Sequence, residues 1–157
     1  YCHFTSPIRR YPDLQIHRII KEQLRGRLQG DRVEHYRAIL PEVAKQSSVL
    51  ERRAEEAERE TDKLKKAQYM EAHLGEVFEG VVSGITAWGI YVELPNTVEG
   101  LIHVAKLPGD YYYYKEETYE MVGESTGSTF KLGMKVKVMA VATDKITRTI
   151  DFELVEE

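Results

Sequence analysis

Residues 75–104 read GEVFEGVVSGITAWGIYVELPNTVEGLIHV. Here the apolar side chains stop following a helical repeat and begin to alternate, which places them on one face of extended backbone. Val77-Phe78, Val81-Val82 and Ile85 mark a first strand. Gly89-Ile90-Tyr91-Val92-Glu93-Leu94 marks a second, stopped by Pro95-Asn96, and Gly100-Leu101-Ile102-His103-Val104 a third. Further on, Lys135–Val141 and Arg148–Leu154 have the same alternation and supply a fourth and a fifth strand. Glycines inside such strands let a sheet bend and bulge as it closes on itself.

Five short strands within about 80 residues, with an irregular insert between the third and fourth, suit a five-stranded Greek-key OB barrel. Upstream of Gly75 the repeat is helical, so the expected fold class is α+β, with residues 1–74 helical and 75–157 forming the barrel. Tyr11-Pro12-Asp13 starts a helix with Pro12 at its first position, and Ile16, Ile20, Leu24 and Leu28 carry it to Gly30-Asp31. A short helix follows around Val33, Tyr36, Ile39 and Leu40. Pro41 is expected to stop it and open the next one.

From 41 to 73 a three/four spacing of Ser47, Leu50, Ala54, Ala57, Thr61, Leu64 and Gln68 predicts one long helix, about 50 Å at the usual rise per residue. Its stripe is narrow and made of small residues, too weak for a solitary coiled coil, so it is expected to lie against a larger body. In the insert, Leu107-Pro108-Gly109-Asp110 precedes four consecutive tyrosines, Tyr111 to Tyr114. Such a run could stack bases; the competing reading is that alternation turns two rings toward the barrel and two outward, merely capping it.

Of 157 residues, 42% are hydrophobic and 31% charged, as in a folded domain, and no apolar run is long enough for a membrane span. The start, Tyr1-Cys2-His3-Phe4-Thr5-Ser6-Pro7, has no initiator Met and none of the features of a secretory leader, as if cut from something longer. The single cysteine excludes an internal disulfide, and no Cys or His spacing suits zinc. The net charge of −4 argues mildly against a polyanionic partner. Its distribution is uneven, because residues 75–157 hold seven Lys and Arg against fourteen Asp and Glu. A barrel of that charge can hold a phosphate backbone only if one face is locally neutral or basic. Lys135, Lys137 and Arg148 are the expected suppliers.

Two groups of residues carry chemistry. Trp88 and Tyr91 lie three apart around Gly89, a bend that can turn both rings to one face. Aromatic rings on an OB face stack on nucleobases, each worth about 1–3 kcal/mol. His103 can stack or donate to phosphate. Plain core packing of the rings is the competing reading. The second group, His3-Phe4-Thr5-Ser6-Pro7-Ile8-Arg9-Arg10-Tyr11-Pro12-Asp13-Leu14, sets hydroxyls and two arginines just before a helix N-terminus. Free N–H groups and the helix dipole favour an anion there, and guanidinium forks match phosphate oxygens. The competing reading is that Arg9 and Arg10 make salt bridges to protein.

The ordered string Gly75-x-Val77-x-x-Gly80-x-Val82-x-x-Ile85-x-x-Trp88-Gly89-x-Tyr91-Val92-x-Leu94, followed by Glu99-Gly100-Leu101-Ile102-His103, resembles the S1 RNA-binding module. The resemblance places that module's binding face on Trp88, Tyr91, His103, Asp144 and Arg148. Ser6-Pro7-Ile8-Arg9-Arg10-Tyr11-x-Asp13, with His17-Arg18, resembles the end of the catalytic domain of the ribonuclease II/ribonuclease R (RNB) family. So do Arg53-Ala54-Glu55-x-Ala57-Glu58-Arg59-Glu60, Lys65-Lys66-Ala67-x-Tyr69-Met70 and the insert from Asp110-Tyr111-Tyr112 to Met121-Val122-Gly123. The details are closer to the ribonuclease R branch.

This resemblance implies processive 3′-to-5′ hydrolysis of single-stranded RNA to nucleoside 5′-monophosphates with magnesium, by a cytoplasmic enzyme. Arg9 aligns with an arginine at the scissile phosphate, where it stabilises developing charge. Ser6 and Arg10 stand beside it, and Glu58 aligns with a glutamate near the RNA path. The family's metal-binding aspartates and its cold-shock domains precede this motif and are not in these residues. The chain is therefore expected to bind RNA and to be inactive alone. The rival expectations are a non-catalytic single-stranded RNA-binding protein with a helical arm, or a scaffold in which Trp88 and Tyr91 are buried against protein.

Overall fold

The computed structural model describes residues 2–155. Helix α1 spans Tyr11–Leu24, with Pro12 in its first turn and Asp13 favourably placed near the positive end of the dipole. It stops at Leu24, one and a half turns before the sequence pattern suggested. Gly26 takes φ +66° and its N–H turns back to the Gln23 carbonyl, which closes the helix and leaves Leu28 outside it.

Helix α2 runs without interruption from Asp31–Glu71, 41 residues, straight through Pro41. Pro41 was expected to divide two helices and does not. It is exposed, so water can serve the carbonyl whose helical donor it removes. The glutamates, arginines, lysines and alanines after it are strong helix formers that offset its cost.

By compactness the chain divides within α2, one unit ending at Glu58 and the next starting at Arg59. In the first unit, α1 and α2 are tied by a polar cluster. The Arg32 guanidinium reaches Glu22 with two hydrogen bonds and lies 5.2 Å from the Tyr36 ring centroid, and the Tyr36 hydroxyl donates to Glu22 at 3.1 Å. The Arg32 bonds hold the Glu22 carboxyl below its ordinary pKa. On the stripe of α2 Leu50 is exposed, while Ser47 is half-buried.

In the second unit, β1 (Val77–Thr86), β2 (Gly89–Glu93), β3 (Glu99–His103), β7 (Lys135–Asp144) and β8 (Thr149–Leu154) form a closed barrel in the order β1-β2-β3-β8-β7. Bulges at Val82/Gly84 and Ala140/Ala142 turn its corners. The interior holds Val82, Ile90, Val92, Ile102, Val138 and Phe152, joined by Ala67 and Met70 from the last turns of α2. The chain enters extended structure close to Gly75, as its periodicity suggested, while compactness assigns the end of α2 to the barrel.

The insert is more regular than its sequence implied. β4 (Tyr112–Lys115), β5 (Glu120–Gly123) and β6 (Thr129–Phe130) make a small antiparallel sheet. Tyr112 and Tyr114 pack toward the core while Tyr111 and Tyr113 are exposed, the expected alternation. Asp110 anchors the far loop. It accepts the Thr126 N–H at 2.7 Å and hydroxyl at 2.8 Å, the Tyr111 N–H at 2.7 Å and the Ser125 N–H at 2.9 Å.

These donors, the Thr126 N–H foremost, hold the Asp110 carboxyl at about 2 against an ordinary 3.8. A carboxyl depressed in the folded state stabilises above its unfolded pKa, and that stability fades as pH falls through the folded one. Urea midpoints of the wild type should therefore fall more steeply than those of Asp110→Asn between about pH 4 and pH 2. Parallel curves would mean that Asp110 contributes nothing across that window.

Candidate nucleic-acid interface

Cross-strand register sets the outer face of the barrel. Ile90 and Val92 of β2 point inward, so Gly89, Tyr91 and Glu93 point outward. Their partners on β3 are His103, Leu101 and Glu99. Directly paired residues share a face, so Tyr91, Leu101 and His103 stand together on the outside. Trp88 sits in the β1–β2 turn and is 55% exposed, and its Nε1 donates to the Tyr91 hydroxyl at 3.2 Å. Both rings and the exposed His103 thus border one surface. Trp88 is exposed and Tyr91 half-buried, so neither ring is fully buried under the helices of this chain.

Gly89 makes this arrangement possible. At φ +155° it brings β2 so close to β3 that a Cβ would lie 2.1 Å from the Ile102 carbonyl oxygen. The Val104 N–H donates to the Trp88 carbonyl at 2.8 Å and pins the turn. His103 Nδ1 accepts the Ala105 N–H at 3.2 Å, which leaves Nε2 to carry the proton and face solvent.

The two residues of the last hairpin are engaged within the protein. Asp144 closes the β7–β8 turn. Its Oδ1 accepts the Ile146 N–H at 2.7 Å, a bond that, with the Thr147 hydroxyl and N–H, lowers its pKa. Arg148 takes φ +59°, and its guanidinium donates to Glu60 on α2. Lys135 and Lys137, expected beside Arg148, lie on β7 next to β1 and line a separate groove with Glu79 and Glu93. Pairing β7 with β1 rather than β3 turns those lysines away from Tyr91, and periodicity alone cannot show which strands are neighbours.

In the first unit, the Ser6 carbonyl accepts the Arg9 and Arg10 N–H groups, forming a tight turn ahead of α1. Arg9 is exposed at its tip. Arg10 does not share that position. Its guanidinium forks onto Asp13 Oδ2, at 3.2 Å from Nε and 2.9 Å from Nη2, and the Ser6 N–H donates to the same oxygen at 2.8 Å. Asp13 is fully buried. Burial raises its pKa, but the Ser6 N–H and Arg10 outweigh that and leave it lowered. It is the organising residue that sequence reasoning passed over. The available signal was a carboxylate three residues after an arginine, at a helix start. Phe4 stacks on His17 at 4.2 Å, which fixes the segment before the turn. Glu58 is exposed on α2. Among the described residues no three His, Cys, Asp or Glu side chains converge to hold a metal, and no helix is long and apolar enough to cross a membrane.

A closed five-stranded barrel with an aromatic pair at its outer face defines a module of the OB class. The chain belongs to the S1 RNA binding domain family, whose model matches residues 71–154, and the RNB domain model matches residues 1–26. It is 48% identical to Ribonuclease R 1 of Lactococcus lactis over 98% of this chain and 19% of that protein. It is 46% identical to Ribonuclease R of Thermotoga maritima over 100% of this chain and 22% of that protein. The chain therefore spans about a fifth of the length of these relatives. The apo form of Mycoplasma genitalium RNase R superposes with a TM-score of 0.92 at 26% identity, covering 99% of this chain and 24% of that one. The same protein in complex with ribose methylated single-stranded RNA also scores 0.92, at 27% identity. RNB ahead of S1 is the order that the motifs implied.

Proposed function

We propose that this chain works as part of a ribonuclease R-type enzyme that degrades single-stranded RNA processively from its 3′ end to nucleoside 5′-monophosphates in the cytoplasm. Within it, these residues would supply RNA binding and one phosphate-contacting arginine. The observation that carries the reading is the exposed Trp88 bonded to the half-buried Tyr91, with His103 on the same barrel face, in a chain that also matches the RNB model at its start.

In this reading bases stack on Trp88 and Tyr91, and His103 donates to a phosphate through Nε2. Arg9, at the tip of its turn, meets the scissile phosphate and stabilises charge that develops on its oxygens. Arg10 and Ser6 act by shaping that turn through Asp13. Glu58 lies along the RNA path. In our reading the magnesium ions are held by residues outside this chain, and no step is routed through them. The chain by itself is then a binder without hydrolytic activity.

The test is fluorescence anisotropy of labelled oligo(A), wild type beside Trp88→Ala/Tyr91→Ala, at two salt concentrations. Loss of two stacked bases, at about 1–3 kcal/mol each, should weaken binding by at least about thirtyfold. Equal affinities in a folded double variant would remove RNA from this face. Release of mononucleotides by the pure chain with magnesium would overturn the assignment of the metal ligands.

A further inference from the structure

The outer face of the barrel beside Tyr91 is one wall of a groove of about 650 Å³, and the other wall is the end of α2. Arg59, Lys63 and Lys66 line it at i, i+4 and i+7, so they share one side of the helix and face Tyr91 and Leu101 across the gap. Lys66 Nζ donates to the Thr97 carbonyl at 2.5 Å, which ties the helical wall to the β2–β3 loop. Glu60 on the same helix pairs with Arg148 and with Lys63. All of these residues belong to the barrel unit.

We propose that this groove is the track of the RNA backbone, and that Arg59 and Lys63 of α2 are phosphate-binding residues of the S1 module. The proposal rests on the reading that the chain binds RNA through Trp88 and Tyr91. Charge is the argument. A strand leaving Tyr91 along the outer face meets Glu99 and Asp151, the outward neighbours of Leu101 on β3 and β8. The barrel's own lysines at 135 and 137 line another groove. Arg59, Lys63 and Lys66 of the helix, with Arg148, balance Glu99 and Asp151 of the barrel and Glu60 and Asp62 of the helix, so the groove is neutral overall and open to a polyanion where the barrel face alone is acidic. Bases stack on the aromatic wall while phosphates run along the helical one. Arg148, paired with Glu60, is the fourth cation of that groove.

Anisotropy of labelled oligo(A) against the full chain, over a series of salt concentrations, tests this. Each phosphate contact contributes about 0.7 to the slope of log affinity on log salt for a single strand. Arg59→Gln/Lys63→Gln should bind about tenfold more weakly at low salt and flatten the slope by about 1.4. Lys115→Gln/Lys135→Gln removes the same charge elsewhere on the barrel unit and should change affinity less than twofold. If the two double variants weaken equally, attraction is diffuse and the track is refuted. If Arg59→Gln/Lys63→Gln binds like wild type while Trp88→Ala/Tyr91→Ala does not, the track is wrong and the RNA-binding reading stands. If the wild type itself does not bind, both fall.

Discussion

Gly89→Ala should destabilise the barrel by roughly 2–6 kcal/mol and disorder the aromatic pair with it. Two costs combine. The backbone at φ +155° lies where a side chain is rarely tolerated, a strain of about 1–3 kcal/mol. The added methyl would also fall 2.1 Å from the Ile102 carbonyl oxygen, so β2 or β3 must move, at about 1–3 kcal/mol more. Neither neighbour moves easily, because the Val104 N–H is bonded to the Trp88 carbonyl and Ile90 and Ile102 are fully buried. Urea unfolding followed by far-UV circular dichroism reads the loss. RNA affinity measured well below the midpoint should fall too, because the turn that holds Trp88 against Tyr91 shifts. A variant as stable as wild type with unchanged affinity would show that the close approach of β2 and β3 is unimportant.

Phe152→Ala should cost about 3–5 kcal/mol, the ordinary range for emptying a buried aromatic site. Phe152 is 1% exposed on β8, and its ring lies over Gly100 on β3, where a Cβ would sit 2.6 Å from it. The glycine and the ring are complementary shapes, so their substitutions should couple. Gly100→Ala alone overpacks the site, at about 1–3 kcal/mol. Combined with Phe152→Leu it should cost at least about 1 kcal/mol less than the sum of the two single changes. Simple additivity in that cycle would show that the ring does not depend on the glycine. This contact also seats β8 against β3 in a parallel pairing, and β8 carries Asp151 into the groove beside Tyr91.

The five barrel strands were legible because alternation is a local signal. Each residue's inward or outward sense depends on its neighbours two positions away. The outward aromatics could be read for the same reason, since Trp88 and Tyr91 flank a glycine that only a close strand crossing requires. Helix ends were less legible. The periodicity through Leu28 is real, but Gly26 in the left-handed region ends α1 first, and an exposed Pro41 is carried by the helix around it. Asp13 was hidden because burial of a carboxylate depends on the turn that folds over it.

By itself, the amino-acid order determined an α+β chain with a barrel after Gly75, an aromatic pair at its β1–β2 turn and an arginine-bearing turn before the first helix. Each is a matter of short-range pattern and residue chemistry. Only the tertiary structure decided which cations stand beside that pair. Lys135 and Lys137 are turned away because β7 pairs with β1, and Arg59, Lys63 and Lys66 come close because Ala67 and Met70 bury the end of α2 in the barrel core. Charge acts through space, and the residues that share a groove are chosen by strand pairing and packing between segments far apart in the chain.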